Sequence, residues 1–388
     1  MKKKIVIVTV VVTLILAGVG GYYYWRYFRG VGPSIKLPPQ DITKVINTTG
    51  MPLTLPAGFR IDIVAKGLDG ARVLRFDAGG QLWVSQPKLG QVTRLTLQDG
   101  RESARQAVIQ GLSKPHGLAF HRDRPHDLYV AAENAIWKYE IGSNVPPRKL
   151  IDLPVGGNHT SRTIGFGPDH RLYVAIGSTC NVCLESDPHR AAIWTMERDG
   201  SDFRLFASGL RNTVFFTWHE GQLWGTDMGR DFLGDDLPPD EINIIEAGKF
   251  YGWPFCYGQN VHDRRFDGSA AAAARCVSAG PSRVDIPAHS APLGLAFVPP
   301  GFGHTDWVGD LLIAYHGSWN RTAPTGYKLV RYDVDQQQIA DFATGWLTPD
   351  GALGRPVDLV FHGPALYVSD DKAGVIYRLT FQVDNSRP

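Results

Sequence analysis

Six short stretches of this chain carry side chains that a plain loop would not need. They are Lys114-Pro115-His116-Gly117, Asn158-His159-Thr160-Ser161-Arg162, Gly209-Leu210-Arg211-Asn212, Asp227-Met228-Gly229-Arg230-Asp231, His316-Gly317-Ser318-Trp319-Asn320-Arg321 and Gly354-Arg355-Pro356-Val357-Asp358. An imidazole can accept a proton near neutral pH, and guanidinium forks hold carboxylates or phosphates through paired hydrogen bonds. Gathered on one cavity, these groups would suit a small polyanion held beside a general base. Taken singly, each Arg reads as a surface ion pair and each His as a satisfied strand-end residue. His159 is set apart by Arg162 three positions on. The stretch from Asp227 to Asn243 adds Asp231, Asp235, Asp236, Asp240 and Glu241, with Gly229 and Gly234 between them. Carboxylates and main-chain carbonyls of that kind can hold Ca²⁺. The spacing is not that of an EF-hand loop, so an Asp-capped connection stays open beside the metal.

The elements that must position these stretches repeat one phrase. An apolar pair leads through a short turn to a strand of the Leu-Tyr/Trp-Val kind: Val73-Leu74-Arg75-Phe76 with Leu82-Trp83-Val84, Leu118-Ala119-Phe120 with Leu128-Tyr129-Val130, and Ile164-Gly165-Phe166 with Leu172-Tyr173-Val174. It returns at Val214-Phe215-Phe216 with Leu223-Trp224-Gly225, Leu295-Ala296-Phe297 with Leu311-Leu312-Ile313, and Leu359-Val360-Phe361 with Leu366-Tyr367-Val368. Alternating apolar runs closed by Gly, Asp or Asn turns are hairpin signals, and a period of roughly 40–50 residues is that of a propeller blade. The sequence therefore predicts an all-β fold, a six-bladed β-propeller over residues 55–382, with the candidate residues where loops converge on the central channel.

Composition fits this. Of 388 residues, 43% are hydrophobic and 20% charged, and the net charge of +2 argues against a general nucleic-acid binder. The N-terminus differs in kind: Lys2-Lys3-Lys4 precede an uncharged run from Ile5 to Trp25, about the roughly 20 residues that span a bilayer. Residues 1–29 are expected to be a transmembrane anchor or a cleaved signal, 30–54 a linker and 383–388 a short tail. The propeller would then lie on the extracytoplasmic, periplasmic side. Cys180 and Cys183 form a C-x-x-C pair and Cys256 and Cys276 lie farther apart. The spacing is wrong for a zinc site, and two disulfides are expected in an oxidising compartment. A redox-active C-x-x-C is the alternative.

Arg211-Asn212, the block Gly229-Arg230-Asp231 through Asp240-Glu241-Ile242-Asn243, Tyr251-Gly252-Trp253-Pro254, His316 to Arg321 and Gly354 to Asp358 together resemble the glucose/sorbosone dehydrogenase family, closest to its L-sorbosone and pyranose dehydrogenase branch. The resemblance covers about residues 55–382 and implies a quinoprotein using pyrroloquinoline quinone (PQQ) with Ca²⁺. It implies that His159 is the base for the sugar hydroxyl proton while hydride moves to the quinone. Arg211 and Asn212 match the pair contacting the quinone, and Gly229 and Arg230 the positions whose carbonyls bind Ca²⁺. Arg321 and Arg355 fall where basic residues hold the PQQ carboxylates, with His316 and His116 as further cofactor contacts. Met228 departs from the Gln of the soluble glucose enzymes. The implied partners are a sugar such as an aldose, a quinone or cytochrome electron acceptor, and the membrane. A calcium-dependent lactonase-type hydrolase or a non-enzymatic ligand-binding propeller would use the same ring differently.

Overall fold

The computed structural model describes residues 2–23 and 48–381. Its body is six four-stranded antiparallel sheets. Blade 1 holds Leu74–Phe76, Leu82–Gln86, Gln91–Gln98 and Arg101–Ile109, and blade 2 holds Gly117–His121, Arg124–Ala131, Ala135–Glu140 and Arg148–Asp152. Blade 3 holds Arg162–Phe166, Leu172–Ile176, Ala192–Met196 and Arg204–Ser208, and blade 4 holds Thr213–His219, Gln222–Asp227, Asp240–Ile245 and Val284–Ile286. Blade 5 holds Pro292–Phe297, Leu311–Tyr315, Lys328–Asp333 and Gln338–Ala343. Blade 6 takes Pro356–His362, Ala365–Asp370 and Val375–Phe381 from the end of the chain and its outer strand, Phe59–Lys66, from the beginning. Pairing Phe59 with Phe381 and Lys66 with Val375 closes the ring.

The repeated phrase marks the first two strands of every blade. Leu82–Gln86, Leu172–Ile176 and Leu311–Tyr315 are buried at every position. Such strands are covered on both faces by neighbouring blades and so read as apolar runs, whereas the edge strand Arg101–Ile109 is mostly exposed. Inner strands approach closely: a Cβ on Gly117 would lie 2.5 Å from the Arg162 carbonyl oxygen. In blade 4 the residue opposite Leu223 is Trp218 rather than Phe216. A register shift near Thr213 lengthens the phrase there.

Blade 4 also carries the long insertion. A short hairpin, Cys256–Tyr257 with Val261–His262, is joined to the helix Ala270–Ser278 by the Cys256–Cys276 disulfide. Ser269 caps that helix by accepting from the Ala272 amide. The second expected disulfide, Cys180–Cys183, is present too, which removes the free thiols a redox C-x-x-C in its reduced form would offer.

The N-terminal segment is helical over Lys2–Tyr23. Among the described residues no helix is long and apolar enough to cross a membrane, so the anchor is not an observed feature. Most of the expected linker, up to residue 47, and the tail 383–388 lie outside the described residues.

Candidate active site

In an antiparallel blade the start of the first strand and the end of the second lie at the same end. The loops there carry nearly all the candidate residues, since His116, His159, Arg211, Asn212 and Arg355 precede first strands, while Gly229, Arg230 and His316 follow second strands.

His159 is fixed from several sides. Its Nδ1 lies 3.0 Å from the main-chain oxygen of Ser178 and 2.8 Å from Ser178 Oγ, which itself donates to the Cys180 carbonyl at 2.8 Å. A carbonyl only accepts, so Nδ1 carries the proton and Nε2 presents its lone pair. Arg162, fully buried, donates from Nη1 to the His159 carbonyl at 3.0 Å and from Nη2 to Pro154 at 2.7 Å. Burial first, and then the charge of Arg211, hold the His159 pKa down at about 3, against the raising effect of the Ser178 carbonyl. The imidazole is therefore neutral at ordinary pH. A Cβ on Gly177 would lie 2.7 Å from both His159 Cβ and Asn212 Oδ1. Only glycine lets these two side chains flank one spot.

Arg211 is buried beside them. Its Nε and Nη2 donate to the carbonyl oxygen and Oδ1 of Asn181, both at 2.9 Å, and Nη1 donates to the Met228 carbonyl at 3.1 Å. Asp231 Oδ2 is 3.6 Å away. The Asn212 amide donates to Asp227 Oδ1 at 2.5 Å.

Across the mouth a second network runs through blades 5, 6 and 1. Asp371 receives Arg72 Nη1 at 2.8 Å and faces His316 Nε2 at 2.9 Å. Burial lowers the His316 pKa to about 4, and Asp371 is held ionised by His316 and Arg72 in spite of its burial. Arg355 donates from Nε to the His316 carbonyl at 3.0 Å and from Nη2 to Gly317 O, and lies over the Tyr327 ring. A cavity of about 270 Å³ opens here, lined among others by Arg72, Lys114, His116, Thr160, Ser161 and Asp371. His116 stands 3.3 Å from Thr163 Oγ1 through Nδ1, while its buried Nε2 has no partner. Because Thr163 Oγ1 donates to the Val214 carbonyl, Nδ1 carries the His116 proton and Nε2 is an acceptor, so the cavity offers a ligand two cations and one lone pair.

The turn at Gly229-Arg230 is held differently. Gly229 N donates to Asp240 Oδ1 at 2.9 Å, and a Cβ on Gly229 would come within 2.6 Å of the Pro239 oxygen. Arg230 Nε faces Asp263 of the insertion at 2.8 Å. Asp227, Glu241 and Asp263 line one small cavity beside Gly229 and Arg230. Asp227 accepts from the amides of Asn212 and Met228, Asp240 from those of Gly229 and Ala291, and Glu241 from that of Gly258. Burial raises Asp227 and Asp240 to about 7 and Glu241 to about 8. These acids staple the loop.

Of the candidate residues His116 lines the cavity of about 270 Å³, Arg211, Gly229 and Arg230 line the smaller one, and Arg321 lines neither. Its Nη2 pairs with the exposed Asp236 at 2.7 Å, while Asn320 Nδ2 donates to Asp231 at 2.6 Å and the Thr322 amide to Asp235 at 3.2 Å. The loop after the second strand of blade 5 is thus tied to the acidic loop of blade 4. Between them Trp319 is 59% exposed, edge-on to Phe232. Sequence reasoning missed Arg72, Asp371, Ser178 and Asn181. Arg72 could have been found, since it precedes the first phrase as His116 precedes the second.

The chain as a whole has counterparts. A family profile described as TrAA12-like matches residues 53–382. The chain belongs to the TrAA12-like family. A protein of Borreliella burgdorferi described only as uncharacterized is 28% identical over 376 residues, covering 90% of this chain and 94% of its own. The pyrroloquinoline quinone-dependent pyranose dehydrogenase of Coprinopsis cinerea is 24% identical across 82% of this chain, which spans about half (53%) of that relative. Among solved structures, the holo PQQ domain of the Coprinopsis cinerea pyranose dehydrogenase superposes with a TM-score of 0.73 at 22% identity, over 87% of this chain and 100% of that one. A Trichoderma reesei enzyme of carbohydrate-active family AA12 gives 0.73 at 23%, over 88% and 100%. The PQQ-bound aldose sugar dehydrogenase of Streptomyces coelicolor gives 0.62 at 21%, over 84% and 99%. At these identities the superpositions speak for the fold of this TrAA12-like chain, the propeller expected from its repeats.

Proposed function

We propose that this TrAA12-like protein is a PQQ- and Ca²⁺-dependent dehydrogenase that oxidises an aldose or related sugar. The observation that carries the reading is His159, a half-buried, neutral imidazole whose tautomer leaves Nε2 free, beside Arg211 and Asn212. His159 Nε2 takes the proton of the sugar hydroxyl. When bound, PQQ supplies the two-electron acceptor for the hydride leaving the sugar carbon. Arg211 and Asn212 offer positive charge and an amide donor to a developing oxyanion. Arg72, Lys114 and Arg355 would grip carboxylates, His116 Nε2 would accept a hydrogen bond, and the carbonyls of Gly229 and Arg230 would hold Ca²⁺. The hydrolase alternative would need carboxylates converging on a metal, and here Asp227, Asp240 and Glu241 are each engaged by main-chain amides. The two disulfides and the apolar run from Ile5 to Trp25 support an extracytoplasmic propeller anchored to the membrane, passing electrons to a quinone or cytochrome.

The full chain, purified in detergent and loaded with PQQ and Ca²⁺, should reduce an artificial electron-accepting dye in the presence of aldoses. A protein that retains PQQ but turns over none of a panel of aldoses and pyranoses overturns the sugar assignment. One that retains no PQQ overturns the quinoprotein assignment.

A further inference from the structure

The segment after the second strand of blade 3 touches both halves of the reacting pair. Ser178 accepts from His159 Nδ1 and donates from Oγ to the carbonyl of Cys180. The next residue but two, Asn181, sits inside the small ring closed by the Cys180–Cys183 disulfide. Nearly all its polar atoms are spent on two neighbours. Its main-chain oxygen and Oδ1 receive Arg211 Nε and Nη2 at 2.9 Å each, a paired fork like the one a carboxylate would offer. Oδ1 also accepts from the Asp231 amide at 2.7 Å, and Nδ2 donates to the Asp231 carbonyl at 3.2 Å. A neutral amide thus holds a buried guanidinium that has carboxylates close by. Asp231 lies 3.6 Å from it, and Asp227 and Asp240 also act on its charge, opposed by Arg230.

We propose that Asn181, braced by the Cys180–Cys183 disulfide, is a positioning residue that keeps Arg211 aimed at the site of His159 instead of collapsing onto Asp231. The amide is suited to this because it fixes the guanidinium in direction without cancelling its charge. An acid in the same place would neutralise Arg211, and an apolar residue would loosen it. Two of the four cysteines of the chain thereby serve the active site through one side chain. The charged groups facing His159 are Arg211 from the lead-in to blade 4, Arg162 from its own loop and Arg190 from the lead-in to the third strand of blade 3. Of these, Arg211 has the largest effect, so its direction sets how reluctant the imidazole is to protonate.

The proposal rests on the dehydrogenase reading for its catalytic meaning, and its test is made first on the full chain without cofactor. In nitrogen-15 spectra of arginine Nε–H groups, with the Arg211 signal assigned by Arg211→Lys, the wild-type proton should be protected from solvent exchange. Asn181→Ala keeps the main-chain acceptor of Nε and removes that of Nη2, so it should weaken the protection without abolishing it and raise the pH at which His159 protonates, with the melting temperature little changed. Asn181→Asp keeps the acceptor and should keep the Arg211 protection while it still raises the His159 midpoint, because it cancels the charge. The Cys180→Ser/Cys183→Ser double variant should lose part of the protection. In the PQQ-loaded enzyme, Asn181→Ala should lower kcat by about 10- to 100-fold, the size expected when a reacting group drifts by about an ångström, with KM nearly unchanged. Unaltered Arg211 exchange in Asn181→Ala overturns the proposal, as does an unmoved His159 titration in that variant. If both shift as stated but no sugar is oxidised by any form, the dehydrogenase reading fails and the positioning role stands.

Discussion

The two ends of the central channel are built from the same six blades and use their histidines differently. At the end where first strands begin, the cavity is about 270 Å³ and is lined by Arg72, Lys114, His116 and Asp371. At the end where they finish, cavities of about 450 and 520 Å³ are lined by rings such as Phe166, Trp218 and Phe297 together with Arg75, Arg122, Asp358 and Glu220. The far end repeats because the phrase itself ends on an aromatic residue in each blade, so its walls follow from the architecture. The near end breaks the repeat in each blade with a different polar residue. Histidines occur at both ends and show the contrast best. His219 stacks on Phe297 at 3.6 Å and His362 on Phe76 at 4.0 Å, each bridging adjacent blades. His159, His116 and His316 instead meet Ser178, Thr163 and Asp371 through polar atoms.

The contrast can be broken most directly at His159. His159→Ala should keep PQQ and lose about 10²- to 10⁴-fold in kcat, the usual contribution of a general base. Sugar turnover at the parental rate would remove the near end's claim to chemistry. Next comes the grip on the cofactor. Arg355→Ala should weaken PQQ retention by about 10- to 100-fold, as expected for a charge-assisted bond of about 1.5–3 kcal/mol. Arg321→Ala should weaken it much less, because its guanidinium is engaged by Asp236 in the open. Equilibrium dialysis of PQQ against the two variants separates them, and equal losses would mean that Arg321 swings to the cavity on binding.

Why Arg355 and Arg321 could not be ranked beforehand is a matter of range. Both follow polar-rich turns and both match a family position, but what a guanidinium does depends on its partner in space. Arg321 meets Asp236, and Arg72 meets an Asp371 at the far end of the chain. Pairings of that span are set by the closure of the ring. The blades themselves were legible because their signal is local. Phe76 faces Leu82, Phe120 faces Leu128 and Phe361 faces Leu366 across hairpins of a few residues. The strand Phe59–Lys66, whose partner is the last strand, carried no local mark of its place. Asn181 was hidden for another reason: the two cysteines that flank it drew the eye to the disulfide and away from the amide it holds.

A smaller effect separates the ends by pH. The folded His159 titrates at about 3, below its ordinary value of 6.5. Between those values the unfolded chain binds a proton that the native one refuses, so stability falls as pH drops below about 6.5, by up to about 1.4 kcal/mol per pH unit for one such group. His316, at about 4, adds in the same direction. Asp227, Asp240 and Glu241, raised to about 7, 7 and 8, act in the opposite sense over this range, so the readout is the difference: in urea unfolding from pH 7 to 5 the wild type should lose stability relative to His159→Gln. Over the same range kcat should show no acid limb from His159, since its Nε2 stays unprotonated. An acid limb near pH 6.5 that disappears in His159→Gln would mean the imidazole is not held down as the geometry implies.

The smallest effect belongs to the far end. His219 lies flat on Phe297 with ring centroids 3.6 Å apart and planes within 7°. An aromatic contact of this kind is worth about 0.5–1.5 kcal/mol beyond the area it buries, and it joins the first strands of blades 4 and 5. His219→Leu keeps much of the apolar cover and removes the stack, so it should cost about 1 kcal/mol in urea unfolding and leave both kcat and PQQ retention at wild-type levels. The measurement discriminates because both ends share the same first strands: Thr213–His219 begins just after Asn212 and ends at His219. If loosening one end of that strand changed kcat, its two ends would be mechanically coupled and the division between packing histidines and working ones would not hold. If only stability moves, the strand is a rigid spacer, and chemistry is confined to the mouth where the repeat is broken.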